Sequence, residues 1–132
     1  MRVFSGIENL LERISKTHRL AIATGKSRRG LDRGLDATGL RAYFRASRCA
    51  DETQPKPHPA MLLELMDELS VPASGSLMIG DTSHDMEMAR GAGVDALAVT
   101  YGAHAHATLL ACAPRGCLAS VTELDQWLSQ NA

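Results

Sequence analysis

Leu77-Met78-Ile79-Gly80-Asp81-Thr82-Ser83-His84-Asp85 is the stretch whose reading decides the fold. A short apolar run stops at Gly80, one carboxylate follows at once, and a second comes four residues later. A continuous apolar run bounded by Gly reads as a strand covered on both faces, as in a parallel sheet. A carboxylate at the carboxyl end of such a strand lies where open α/β sheets bind ligands. The second falls in the turn or the first helical turn beyond it, close enough to share one cation directly or through water. Mg2+ suits such a pair, because it takes oxygen ligands, keeps several waters and is often completed by a phosphate. The alternative is that Asp81 caps a helix and Asp85 is a solvated first-turn acid favoured by the helix dipole.

Outward from that stretch, apolar runs alternate with helical periodicity, the pattern of a parallel α/β sheet. Ser5 and Glu8 are spaced as a capping box, and Ile7, Leu10, Leu11 and Ile14 follow at helical period, predicting a helix over about 6–16. Leu20-Ala21-Ile22-Ala23 reads as a buried strand, and Thr24-Gly25-Lys26-Ser27 turns into a helix that ends near Gly39. Gly30 and Gly34 inside it cost about 1 kcal/mol each relative to Ala, so packing must hold this helix. Tyr43 to Ser47 is a weaker strand, and Pro59 opens a helix through Leu69 with Met61, Leu62, Leu65, Met66 and Leu69 on one face. After the strand at 77–79 come a helix from Asp85 to Ala92 and a strand from Ala96 to Thr100. Cys117-Leu118-Ala119 reads as a short edge strand, and Ser120 with Glu123 caps a final helix carrying Leu124, Trp127 and Leu128. No repeat, low-complexity tract or linker interrupts the chain, so residues 1–132 read as one domain.

The composition excludes several functions. The 132 residues are 45% hydrophobic and 22% charged, with a net charge of −1, which offers neither a basic face for nucleic acid nor a polybasic stretch for anionic membrane. No apolar run approaches the roughly 18–20 residues that cross a bilayer, and Glu8, Glu12 and Arg13 interrupt any signal-peptide core after Met1. The expected compartment is the cytoplasm, with Cys49, Cys112 and Cys117 reduced rather than a Cys112–Cys117 disulfide.

Two further elements carry chemistry. Thr24 ends an apolar strand and precedes Gly25, so a hydroxyl and backbone N–H groups there can hold a phosphate oxygen beside a helix N-terminus. Thr-Gly after a strand is also common in plain turns. Lys26, Arg28 and Arg29 could add to phosphate affinity, though such residues are more often a solvated helix start. Lys56 lies between Pro55 and Pro57, which constrain its backbone. A fixed ammonium there can neutralise a carboxylate and a phosphoryl group together, whereas a lone Lys in a Pro-rich loop is usually a surface charge. The spacing of His58, His84, His104 and His106 fits no standard zinc site.

Thr24-Gly25, Lys56-Pro57-His58-Pro59 and the run from Leu77 through Asp81 and Asp85 to Thr100-Tyr101-Gly102-Ala103-His104 together resemble three of the four signature motifs of the haloacid dehalogenase superfamily. The resemblance is greatest to its phosphoglycolate phosphatase-like branch and covers residues 3–127. It implies a Rossmann-like parallel sheet with flanking helices, Mg2+ as cofactor and a small phosphorylated metabolite as substrate. By position, Thr24 and Gly25 would bind phosphate, Lys56 would steady nucleophile and phosphate, and Asp81 with Asp85 would hold Mg2+. The branch also implies an Asp-x-Asp element on a central strand, supplying the nucleophile and the general acid/base, and a helical cap. No Asp-x-Asp occurs in these 132 residues, and Asp32 is the first aspartate. The expectation is an incomplete core without cap or nucleophile, inactive as the isolated chain and at best a weak Mg2+ binder. The alternative is a non-catalytic module that dimerises or docks a partner through unpaired strand edges. The strands at 20–24 and 77–80 would flank the absent strand, and direct pairing between them is the expected closure, ahead of strand exchange with another molecule.

Overall fold

The structure, a computed structural model, describes residues 6–99 and 114–131. In chain order the elements are α1 (Ile7–Ile14), β1 (Ala21–Ala23), α2 (Arg28–Thr38), β2 (Ala46–Arg48), α3 (Ala60–Leu69), β3 (Leu77–Gly80), α4 (Ser83–Ala92), β4 (Asp95–Val99), β5 (Gly116–Leu118) and α5 (Val121–Asn131). Among the described residues every strand pairing is parallel, and helices pack on both faces of β4, in keeping with the Rossmann-like reading.

Strand β4 shows how the layers are built. Its residues 96–99 are all buried, and side chains alternate between faces with period two. Ala96 and Ala98 pack with Met86 and Ala89 of α4 and Leu62 and Met66 of α3. Leu97 and Val99 face the opposite layer, with Leu10 of α1 and Leu124 and Leu128 of α5. A strand covered on both faces has no polar side to spare, which is why its sequence is a continuous apolar run. A third cluster gathers Leu31 and Leu35 of α2 around Leu40 and buried Cys49, with Ile22 of β1 and Leu11 of α1 against it. Gly30 and Gly34 therefore sit in a helix anchored by two buried leucines. That helix ends at Gly39, whose φ of 70° is left-handed backbone that glycine adopts without strain.

Local boundaries differ from the sequence reading in three places. The Ser5 end of the expected Ser5–Glu8 box lies outside the described residues, and α1 begins at Ile7 with Gly6, in left-handed backbone, at its N-cap. The strand expected at 43–47 lies at Ala46–Arg48, because Arg41–Tyr43 closes into a 3-10 turn first. The helix after β3 begins at Ser83, capped by Thr82, so Asp85 stands inside it rather than at its start.

The larger correction concerns the sheet. Direct pairing of the strands near 22 and 78 does not occur: among the described residues β1 pairs only with β2, and β3–β4–β5 forms a separate three-stranded sheet. The expected closure is not required, because these edges are not fully buried. Ala21 is exposed and Ile79 is 39% exposed, so backbone groups beside them remain within reach of solvent rather than stranded in a dry core. Helices bridge the two sheets: α1 sends Leu10 to one core and Leu11 to the other, while α3 packs on β1, β2 and α4.

Candidate functional site

The site is organised at the carboxyl end of β3. Gly80 is buried, and a Cβ built on it would stand 2.3 Å from Cβ of Asp85 and 2.5 Å from its Oδ2. Only glycine lets the first turn of α4 close so tightly over the strand end. Thr82 is the N-cap, its Oγ1 accepting from the Asp85 N–H at 3.2 Å, and the reciprocal half of the capping box comes from the Asp85 carboxylate. Asp85 Oδ2 accepts from the backbone N–H groups of Asp81 at 3.1 Å and Thr82 at 3.2 Å. Its Oδ1 accepts from the Lys56 ammonium, an ion pair in which the Lys56 side chain is 17% and the Asp85 side chain 4% exposed. Asp81 itself is partly exposed at the mouth of the strand.

Lys56 is therefore brought to the acidic element. Pro55 O accepts from the His58 N–H at 3.0 Å, folding the Pro-Lys-Pro stretch into a turn ahead of α3. His58 Nδ1 accepts from the Ala60 N–H at 3.1 Å, occupying the first backbone donor of α3, whose N-cap is Pro59. Thr24 and Gly25 sit on the turn that follows β1. The Thr24 N–H donates to Arg48 O at 3.1 Å, extending the β1–β2 ladder, and its Oγ1 accepts from the Lys26 N–H at 3.1 Å. Helix α2 is capped by Ser27, whose Oγ accepts from the Gly30 N–H at 3.1 Å. The Ala50 N–H donates to Lys26 O at 2.9 Å, tying the Thr24 turn to the 49–56 loop that carries Lys56.

Sequence reasoning missed two features. The first is a lock around Arg28, whose N–H donates to Asp51 and whose guanidinium grips both oxygens of Glu52 at 2.9 and 3.0 Å. This hydrogen-bonded pair holds the Glu52 carboxyl down at about 2 and raises Arg28 above its ordinary value. Arg28 is thus committed to holding the 49–56 loop rather than to binding phosphate. Burial pushes the nearby Cys49 thiol up, which disfavours its reactive thiolate. The second is the capping role of Asp85, legible in the Thr82-x-x-Asp85 spacing but overshadowed by the Gly-Asp dipeptide before it.

The fit to Mg2+ is partial. Among the described residues no three carboxylate, imidazole or thiolate side chains converge to hold a metal. Asp81 is partly exposed at the strand end, and both oxygens of Asp85 are engaged. His104, His106, Cys112 and the 100–104 stretch lie outside the described residues. No helix among the described residues is long and apolar enough to cross a membrane.

Known proteins are similar to this chain in sequence and in fold. "Probable phosphatase IndB" of Dickeya dadantii is 38% identical over 124 residues, covering 92% of this chain and 54% of its own length. A phosphoglycolate phosphatase of Pseudomonas syringae pv. tomato is 36% identical over 102 residues, 76% of this chain and 38% of that protein. The chain thus spans about half or less of these relatives. A haloacid dehalogenase-like hydrolase from Streptococcus pneumoniae superposes with a TM-score of 0.86 at 25% identity, over 96% of this chain and 60% of that one. Residues 1–99 match the sequence profile of haloacid dehalogenase-like hydrolases, and with the parallel α/β core and the Lys56–Asp85 pairing in place, the chain belongs to that family.

Proposed function

We propose that this chain is the core of a Mg2+-dependent phosphomonoesterase of phosphoglycolate phosphatase type, acting on a small phosphorylated metabolite. The observation that supports it most is Lys56, an ammonium anchored by a buried carboxylate one turn from Asp81, at the end of a parallel strand. Such an ammonium is pre-oriented toward anionic oxygen, and pre-orientation is what makes a charge useful in a transition state. Thr24 and the Gly25 N–H would receive phosphate oxygens on the turn after β1, and Asp81 would face the cation, with Asp85 behind it at Lys56. Bound Mg2+ would neutralise phosphoryl charge and orient the phosphate. Asp85 cannot double as nucleophile, being 3% exposed with both oxygens engaged. With no Asp-x-Asp in the 132 residues, the isolated chain is expected to release no phosphate from p-nitrophenyl phosphate in Mg2+ above background. Mg2+-dependent release that disappears in Asp81→Asn would show that the nucleophile has been misplaced. A fused upstream Asp-x-Asp strand that fails to produce release would count against the phosphatase reading itself.

The split sheet favours a second reading, in which a second copy of the chain docks on the edges of β1 and β3. Those edges share no ladder, and Ile79 is one of two large hydrophobic side chains exposed among the described residues. Open strand edges are templates for pairing. Light scattering should then show a concentration-dependent dimer that Ile79→Lys abolishes, and a monomer throughout would dismiss this reading.

A further inference from the structure

The Thr24 turn and the Asp81 turn end strands of two different sheets, and among the described residues no ladder joins β1 to β3. Strand pairing therefore does not fix the span between the two turns. The 49–56 loop connects them, and it is tied along its length. At its start the Ala50 N–H donates to Lys26 O at 2.9 Å, and Asp51 Oδ1 accepts from the Arg28 N–H at 2.9 Å. Next, the Arg28 guanidinium donates to Glu52 Oε1 at 2.9 Å and Oε2 at 3.0 Å, and Oε1 also accepts from the Cys49 N–H at 2.9 Å. At its end the Lys56 ammonium meets Asp85 inside α4. Two parallel bonds between a guanidinium and a carboxylate fix orientation as well as distance, which one bond would not. Arg28 follows directly on the Ser27 cap, so its backbone is continuous with the Thr24 turn. We propose that Arg28 and Glu52 are positioning residues that set Lys56 at a fixed distance from the Thr24 turn across the gap between the two sheets, so that one phosphate can meet both.

This proposal rests on the phosphatase reading for the purpose of the positioned lysine; the contacts themselves do not depend on it. Both side chains of the pair are 34% exposed, and a single exposed ion pair adds little to global stability. Its effect is local instead. Residues 49–56 belong to no helix or strand, so side-chain ties are what restrict them, and Glu52 lies four residues before Lys56. Release of Glu52 should loosen the loop without unfolding the chain. That loosening should show at Lys56, whose side chain is 17% exposed in the tied state.

The test follows acetylation of Lys56 by peptide mass spectrometry in the whole chain, with exposed Lys16 as internal standard and folding checked by circular dichroism. Glu52→Gln removes the charge and keeps the size, and Lys56 should then react about three-fold faster or more while Lys16 is unchanged. An unchanged Lys56 rate would overturn the proposal. Two controls separate positioning from general effects. Asp32→Asn removes the same charge from a carboxylate that meets Arg28 at 3.5 Å but lies outside the loop. Leu97→Ala costs more stability, at a fully buried position in β4. Neither should accelerate Lys56, and an acceleration equal to that of Glu52→Gln in either would overturn the proposal. Inorganic phosphate then separates this proposal from the reading beneath it, and should slow Lys56 acetylation in the wild-type chain. If Glu52→Gln frees Lys56 but phosphate does not protect it, the positioning by Arg28 and Glu52 stands and the phosphate-binding role of Lys56 falls. If phosphate protects Lys56 while Glu52→Gln changes nothing, the phosphate-binding role stands and the positioning falls.

Discussion

Gly80→Ala tests the geometry on which the site depends. The added methyl would lie 2.3 Å from Asp85 Cβ, 2.5 Å from Oδ2 and 2.6 Å from Cγ. The nearest of these atoms is fixed to the α4 backbone, so a rotamer change cannot clear it, and the helix must withdraw from the strand end. Overpacking of this kind costs roughly 1–3 kcal/mol. Withdrawal also weakens the bonds from Asp85 to two backbone N–H groups and Lys56, and hydrogen bonds to a charged group are worth about 1.5–3 kcal/mol. Because one movement produces both losses, a combined effect of ~3 kcal/mol is a reasonable expectation rather than their full sum. With a urea m-value of about 2 kcal/mol/M, the unfolding midpoint should fall by ~1.5 M. Gly25→Ala is the control, since a methyl group there would meet nothing within 4 Å and the backbone is not left-handed. It should stay within about 0.5 kcal/mol of wild type, as surface substitutions usually do. Equal midpoints for the two variants, or a Gly80→Ala shift below about 0.3 M, would refute the claim that α4 closes on β3 through this contact.

Two further outcomes follow from the packing and the charges. Leu97 is 0% exposed at the centre of β4, and Leu97→Ala should destabilise the chain by about 2–5 kcal/mol in urea, a loss below about 1 kcal/mol meaning that the core is loose there. The Glu52 carboxyl is held from an ordinary 4.5 down to about 2 by Arg28, so its contribution is complete above pH 4.5 and is lost as pH falls through about 2. Its side chain is 34% exposed, so solvent screening reduces that contribution to ~1 kcal/mol. Glu52→Gln should therefore lower stability at pH 7 by that amount and match wild type near pH 2, and a constant gap across the range would contradict the assignment.

Much of this molecule is written locally. The run from Leu77 to Gly80, the apolar residues 96–99 of β4 and the 3.6-residue spacing of Leu62, Leu65, Met66 and Leu69 reveal their elements because hydrophobic periodicity is a short-range record of which faces are buried. The family is legible for the same reason, since its motifs are short segments of fixed chemistry at strand ends. Long-range geometry left no such record. Whether β1 meets β3 depends on how α1 and α3 divide their apolar residues between two cores, and adjacent Leu10 and Leu11 point to different ones. The commitments of Arg28 to Glu52 and of Asp85 to Lys56 join residues 24 and 29 positions apart, so spacing alone offered them as phosphate and cation binders. Sequence set the types of chemistry at the carboxyl ends of β1 and β3. Tertiary structure decided which charges are already satisfied by the protein, because an ion pair forms between groups that the fold, not the order of the chain, brings within contact.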